Sequence, residues 1–292
     1  MTASTSMPYL RVMAKHIQHA MLMLLLALPV WAAGTSSKTP ASLNRLQKVM
    51  NADELRVCIW PDYYGITYRN PKTRDLRGID IDTAMALGDE LGVKIRYVDS
   101  SFPELAENLL EDRCDIAMHA VGITPARQAL LSFTNPYLRS DIYAVTSTNF
   151  SSIKTWADLD KTGKVIAVQV GTIMEPIMRQ RLKYAQLMIV KLPMRREVEV
   201  ESGRADAFMT DYPYSKRMLD TTSWASIVAP QQPFHMSDYA YALAPGDDSL
   251  LQRVNSFMEK IRRDGRLLSF ARKYGLETIL LPDIPNRRSD SH

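Results

Sequence analysis

The stretch "DIAMHAVGITPARQALLSF", residues 115–133, opens as an apolar strand and turns into a helix through Ile-Thr-Pro. Thr124 suits an N-cap because its oxygen accepts from first-turn amides, and Pro125 has the fixed φ of a first helical residue. Arg127 therefore falls in the first turn, where the helix dipole is positive and a cation is locally disfavoured. A solvated arginine, or a pair with a neighbouring acid, is one explanation. The other is an anion held jointly by helix N–H groups and a guanidinium.

The same strand-then-helix unit recurs on both sides. Upstream, "LRVCIW" (55–60) is a short apolar strand, and "GIDIDTAMALGDELG" (78–92) has apolar residues at helical spacing and stops at Gly92. "VKIRYV" (93–98) is a strand, "PELAENLLEDR" (103–113) a helix and "CDIAMHAV" (114–121) a strand. Downstream, "KVIAVQV" (164–170) runs through Gly171-Thr172 into the helix "PIMRQRLKYA". "LMIVKL", "REVEVESGR" and "DAFMT" repeat strand, helix, strand, the last meeting Asp211 and a further helix. Such alternation implies βαβ units and parallel sheets.

The pattern predicts an α/β protein of two lobes, each a mainly parallel sheet flanked by helices. Residues 52–143 with 237–282 form a discontinuous first lobe and 144–236 the second, with 141–148 and 239–246 as crossing strands. Helices follow at about 247–264 and 266–274, and the tail 283–292 is expected to be disordered. Ligands of open α/β sheets sit at the carboxyl ends of strands. Three junctions of that kind stand out, at 122–127, 171–175 and 210–211, and facing lobes would bring them to one cleft.

Composition narrows the function. The 292-residue chain carries a formal charge of +4, with 46% hydrophobic and 23% charged residues, ordinary for a soluble globular protein. No Lys/Arg run exceeds two residues, so nucleic acid is not an expected partner. Residues 1–32 read as a cleaved secretory signal: Arg11 and Lys15 precede "AMLMLLLALPV", and Val30 and Ala32 occupy the small-residue positions of the cleavage site. The apolar run is short for a membrane span. Cys58 and Cys114 both lie in apolar strand-like runs and read as two buried thiols, although export permits a disulfide. Five scattered His and two distant Cys offer no ligand spacing, so neither a metal nor a cofactor is expected.

The junction residues supply chemistry. Arg127 is a permanently charged fork suited to a carboxylate. Asp211 opens a helix, where it can act as N-cap or can receive an ammonium group. Together, on opposite lobes, they suit a zwitterion. In "GTIMEP" (171–176), Thr172 and Glu175 match a capping box; alternatively the helix starts at Pro176 with Glu175 as its cap. A Glu facing a dry cleft could also serve as general acid. Trp60, Tyr63, Tyr64 and Phe102 follow strand ends, where aromatics clamp a ligand or pack a hinge.

With these residues assembled, the chain resembles the family 3 periplasmic solute-binding proteins, the amino-acid receptors of ABC importers. The resemblance runs from about residue 55 to 281. It rests on "LRVCIWPDYY", "LRGIDIDTAMALGDELG", "RCDIAMHAVGITPARQALLSFTNPY", "VIAVQVGT" and "SGRADAFMTD". It implies the two-lobe type II periplasmic binding protein fold with two crossing hinge strands, a periplasmic monomer and a membrane permease as partner. Arg127 matches the arginine that holds the ligand α-carboxylate, and Asp211 the acid that holds its amino group. Tyr63 and Phe102 match side-chain contacts, while Gly122 and Thr172 match carboxylate donors. His119, which the resemblance places among the ligand-binding positions, and Ala120 stand where the family commonly has hydroxyl residues or glycine, and Ile173 where it has Thr or Ser. Fewer hydroxyl donors imply a bulkier or aromatic ligand. "EDRCDIAM", "PYLRSD" and "PQQPF" also resemble the periplasmic cyclohexadienyl dehydratases, which implies Glu175 as the proton donor to a leaving hydroxyl.

Overall fold

The computed structural model describes residues 43–149 and 152–282. The expected signal sequence and C-terminal tail lie outside them.

The first half of the chain follows the alternation closely. Helix α1 (Arg45–Ala52) leads into β1 (Glu54–Ile59), then a small antiparallel sheet of β2 (Asp62–Tyr63), β3 (Thr67–Arg69) and β4 (Leu76–Arg77). Helix α2 (Ile79–Leu91) ends at Gly92, whose left-handed φ of 70° returns N–H groups to the last carbonyls. After β5 (Lys94–Asp99), helix α3 covers only Leu105–Leu110 of the expected 103–113, and Asp112 at φ 59° turns the chain towards β6 (Ile116–Gly122). A single turn, α4 (Pro125–Gln128), then β7 (Ser132–Phe133) and β8 (Leu138–Ser140), complete this half.

The second half repeats the design: β9 (Ile142–Ser147), β10 (Val165–Gln169), α5 (Met174–Arg181), β11 (Gln186–Val190), α6 (Arg196–Glu201), β12 (Ala207–Asp211), α7 (Tyr212–Thr221) and β13 (Ala225–Val228). The chain returns through β14 (Ser237–Leu243) and closes with α8 (Asp248–Arg263) and α9 (Arg266–Lys273).

Two sheets result. One has the order β5-β1-β6-β14-β7 with β8 also on β14; the other has β11-β10-β12-β9-β13. In each, the βαβ strands pair in parallel, and the strands that carry the chain across pair antiparallel. The chain leaves the first sheet at Ser140 and enters the second at Ile142. Between them, the buried Asp141 carboxylate accepts N–H bonds from Ile142 (2.7 Å), Phe234 (2.9 Å) and His235 (2.7 Å). One side chain thus ties the outward crossing to the returning one.

The cysteines correct an expectation. Cys58 on β1 and Cys114 just before β6 are not free thiols but form a disulfide. Parallel pairing of β1 with β6 brings them together, Val57 lying opposite Ile116, a tertiary fact that apolar flanks do not report.

Candidate functional site

Strand β6 is buried along its whole length, and it is irregular. Ala120 has φ 47°, and the pairing with β14 shifts register between Ala240 and Ala242. A positive φ at a non-glycine residue needs support from its surroundings. Here Asp80, buried at the start of α2, accepts the Ala120 N–H at 2.9 Å. The same carboxylate accepts the hydroxyls of Tyr137 (2.6 and 2.7 Å) and Tyr241 (2.9 Å). Burial nevertheless pushes Asp80 up to about 7, against the lowering effect of these bonds.

Beyond β6, Thr124 caps α4 by accepting the Arg127 N–H at 3.2 Å, and Pro125 occupies the first position. The Arg127 guanidinium turns back to donate to Gly122 O at 2.8 Å and, on the other lobe, to Gly171 O at 3.0 Å. Phe102 lies 5.4 Å from it. No carboxylate pairs with Arg127 among the described residues, and burial brings it down to about 10.

The second lobe supplies Asp211. As N-cap of α7, it accepts the Tyr214 N–H through Oδ1 at 3.2 Å. Its Oδ2 accepts the hydroxyls of Tyr63 and of Tyr239, the latter at 3.1 Å. Capping and cleft-facing roles coexist on one carboxylate. Burial, followed by the Asp211 charge, holds both phenols well above their ordinary range.

These groups share one cavity with Phe102, Ala120, Gly122, Thr172, Ile173, Met174, Arg196 and Thr210. Its free volume is ≈ 20 Å³, room for about one water, so the lobes are closed over it. The fit is tight: a Cβ on Gly122 would meet Ile173 at 2.8 Å, and one on Gly171 would meet Pro103 at 2.8 Å. Both glycines let the lobes approach.

Two expected residues sit elsewhere. His119 does not line the cavity; its Nδ1–H donates to Cys58 O at 3.3 Å and its ring lies 5.2 Å from Phe102. Strand alternation explains this, since Ala120 and Gly122 share the face on the cavity and His119 points to the opposite one. Burial drives His119 down to about 4. Glu175 is likewise outside the cavity lining. Helix α5 starts at Met174 rather than Pro176, and Thr172 donates its hydroxyl to Gln169 O at 2.7 Å instead of capping. Glu175 Oε2 accepts the Gly171 N–H at 3.2 Å, and Oε1 pairs with Arg179 at 3.1 Å. The neighbour that does line the cavity is Met174, which has no proton to give.

Thr210 lines the cavity as the strand end of the expected 210–211 junction, whereas Tyr239 and Arg196 line it without a sequence signal. Tyr239 is hidden in the alternating "YAYAL" of β14. Arg196 stood in the charged run "MRREVEVE", which reads as a solvated helix face. Outside the cavity, the lobes are also bridged at the surface. Asp62 pairs with Arg195 at 2.8 Å and with Arg217 at 3.7 Å. Among the described residues no cluster of three or more His, Cys, Asp or Glu could hold a metal, and no helix is long and apolar enough to cross a membrane.

Two α/β lobes joined by crossing strands, with a cation from one facing a carboxylate from the other in a buried cavity, define a type II periplasmic-binding-protein fold. The chain belongs to the bacterial extracellular solute-binding proteins, family 3, whose model matches residues 55–277. It is 29% identical over 256 residues to the cyclohexadienyl dehydratase of Pseudomonas aeruginosa, covering 87% of this chain and 93% of that one. It is 26% identical over 260 residues to the L-cystine-binding protein TcyJ of Escherichia coli strain K12, covering 89% and 96%. Among solved structures, it is similar to the ancestral amino acid-binding protein AncCDT-1, a precursor of cyclohexadienyl dehydratase. That match has a TM-score of 0.72 at 30% identity, over 78% of this chain and 98% of that chain.

Proposed function

We propose that the protein captures an amino acid, or a related zwitterionic carboxylate, between its lobes in the periplasm and delivers it as a monomer to the permease of an ABC importer. Residues 1–32 direct export and are removed. The observation that carries this reading is the pairing, in one buried cavity, of Arg127 from the first lobe with Asp211 from the second. Arg127 spends its guanidinium on two neutral carbonyls. A carboxylate is a stronger acceptor for a desolvated guanidinium, each charge-assisted bond being worth roughly 1.5–3 kcal/mol. An ammonium exchanges similarly for the Tyr63 and Tyr239 hydroxyls on Asp211. Gly122 and Thr172 flank the carboxylate position, and Tyr63 and Phe102 pack on the ligand's body. The disulfide supports an oxidising compartment.

The dehydratase reading draws support from the Pseudomonas relative. It requires an acid that reaches the ligand, whereas Glu175 is engaged with Gly171 and Arg179. Binding is therefore the better-supported function. Calorimetric titration of the mature protein with the amino acids, arogenate and prephenate tests it. Saturable binding that Arg127→Ala weakens by roughly 100-fold is expected. Undiminished affinity in that variant would remove Arg127 from the site. Release of phenylalanine or phenylpyruvate would turn the assignment to catalysis.

A further inference from the structure

Arg196, the first residue of α6, is only 3% exposed. Its Nη2 donates to Thr210 Oγ1 at 2.9 Å, while Nη1 is buried with no partner. The guanidinium carbon lies 4.3 Å from the Tyr214 ring and 5.3 Å from Phe208. Rings and one hydroxyl stabilise a cation only in part, and a buried charge without a counter-ion is costly. The neighbouring acids are already engaged. Glu197 accepts the Tyr214 hydroxyl at 2.9 Å, and Asp62 pairs with Arg195 and Arg217. Arg196 forms no ion pair among the described residues, and it lines the same cavity as Arg127 and Asp211.

We infer that the cavity is built for an amino dicarboxylate, with Arg196 taking the second carboxylate. The charge count leads there: the lining holds two guanidiniums, Arg127 and Arg196, against one carboxylate, Asp211. A molecule with two carboxylates and one ammonium completes each of the three and neutralises the excess cation. Because Arg127 and Arg196 belong to opposite lobes, the two carboxylates also bridge the closure, so the ligand must be acidic at both ends to satisfy both walls. A cationic amino acid would meet an unpaired guanidinium at its far end. This inference rests on the zwitterion-binding reading and sharpens its ligand class.

The test compares acids with their neutral counterparts on the wild-type protein. L-Glutamate, L-aspartate and L-2-aminoadipate are titrated calorimetrically beside L-glutamine, L-asparagine and L-arginine. At least one acid is expected to bind roughly 10- to 100-fold tighter than its amide or than arginine. In Arg196→Met, which keeps a long apolar stem between Tyr214 and Phe208, that ratio is expected to collapse towards one. A purely structural role for Arg196 would lower the variant's melting temperature and leave the ratio intact, which would overturn the inference. Glutamine or arginine binding as tightly as every acid to the wild type would overturn it without any variant. Those results would spare the zwitterion-binding function. Failure of all amino acids to bind would sink both.

Discussion

Gly122 and Ile173 meet across the cleft, and that contact can be broken from either side. Gly122→Ala places a methyl 2.8 Å from Ile173 Cγ2 and 3.5 Å from both Ile173 Cδ1 and Arg127 Nη1. Carbon atoms rest about 3.5–4.0 Å apart, so the lobes must yield by roughly 1 Å, or Ile173 must leave its rotamer. Overpacking of this kind costs about 1–3 kcal/mol. On the proposed function the ligand enters between parted lobes, where the two residues are separated, so the cost falls on the closed form alone. Gly122 lies outside the positive-φ region, so alanine is compatible with the strand itself. Ligand affinity is therefore expected to fall about 5- to 150-fold, with little change in the melting temperature of the unliganded protein. Ile173→Ala removes the opposing Cγ2 and Cδ1 atoms. In that background Gly122→Ala should cost far less, a coupling that a double-mutant cycle by calorimetry measures directly. An undiminished affinity in Gly122→Ala, or the same loss in both backgrounds, would refute the reasoning.

The hinge and the buried histidine give two further tests. Asp141→Ala strips the acceptor from three N–H groups; at about 1–3 kcal/mol for each that stays dry, denaturant unfolding should show a loss of roughly 2–4 kcal/mol. A loss below about 0.5 kcal/mol, the scale of a plain surface change, would mean that water replaces the carboxylate freely. His119 is held down to about 4 by burial, below the ordinary value near 6.5. As pH falls from about 6.5 to about 4 the unfolded chain takes up a proton that the folded chain refuses, so stability falls with it. His119→Leu should melt progressively higher relative to wild type across that window, and a constant difference would exclude the mechanism.

The elements that position the site were legible where a local rule acted alone. Thr124, Pro125 and Gly92 mark helix ends through their own backbone chemistry, and Asp211 follows an apolar run as an N-cap must. Legibility failed where two distant segments had to meet. The apolar neighbours of Cys58 and Cys114 suit a thiol as well as a half-cystine, and only the pairing of β1 with β6 decides between them. Arg196 looked like one charge among several because the sequence does not reveal that its neighbours Arg195 and Glu197 find partners while it is left inside. Strand parity alone places His119 away from the cleft. If Gly122 faces the cleft, a residue three positions earlier on the same strand does not.

The cross-link between Cys58 and Cys114 encloses the segment that carries Tyr63 and Phe102. Its formation requires an oxidant, so it cannot precede arrival in a compartment that supplies one. A molecule drawn from a reducing cytosol carries this wall of the cleft on an open thread; one drawn from an oxidising space carries it on a covalent ring. The redox state of the pair is therefore a record of the chain's itinerary, legible by thiol labelling under denaturing conditions on any preparation.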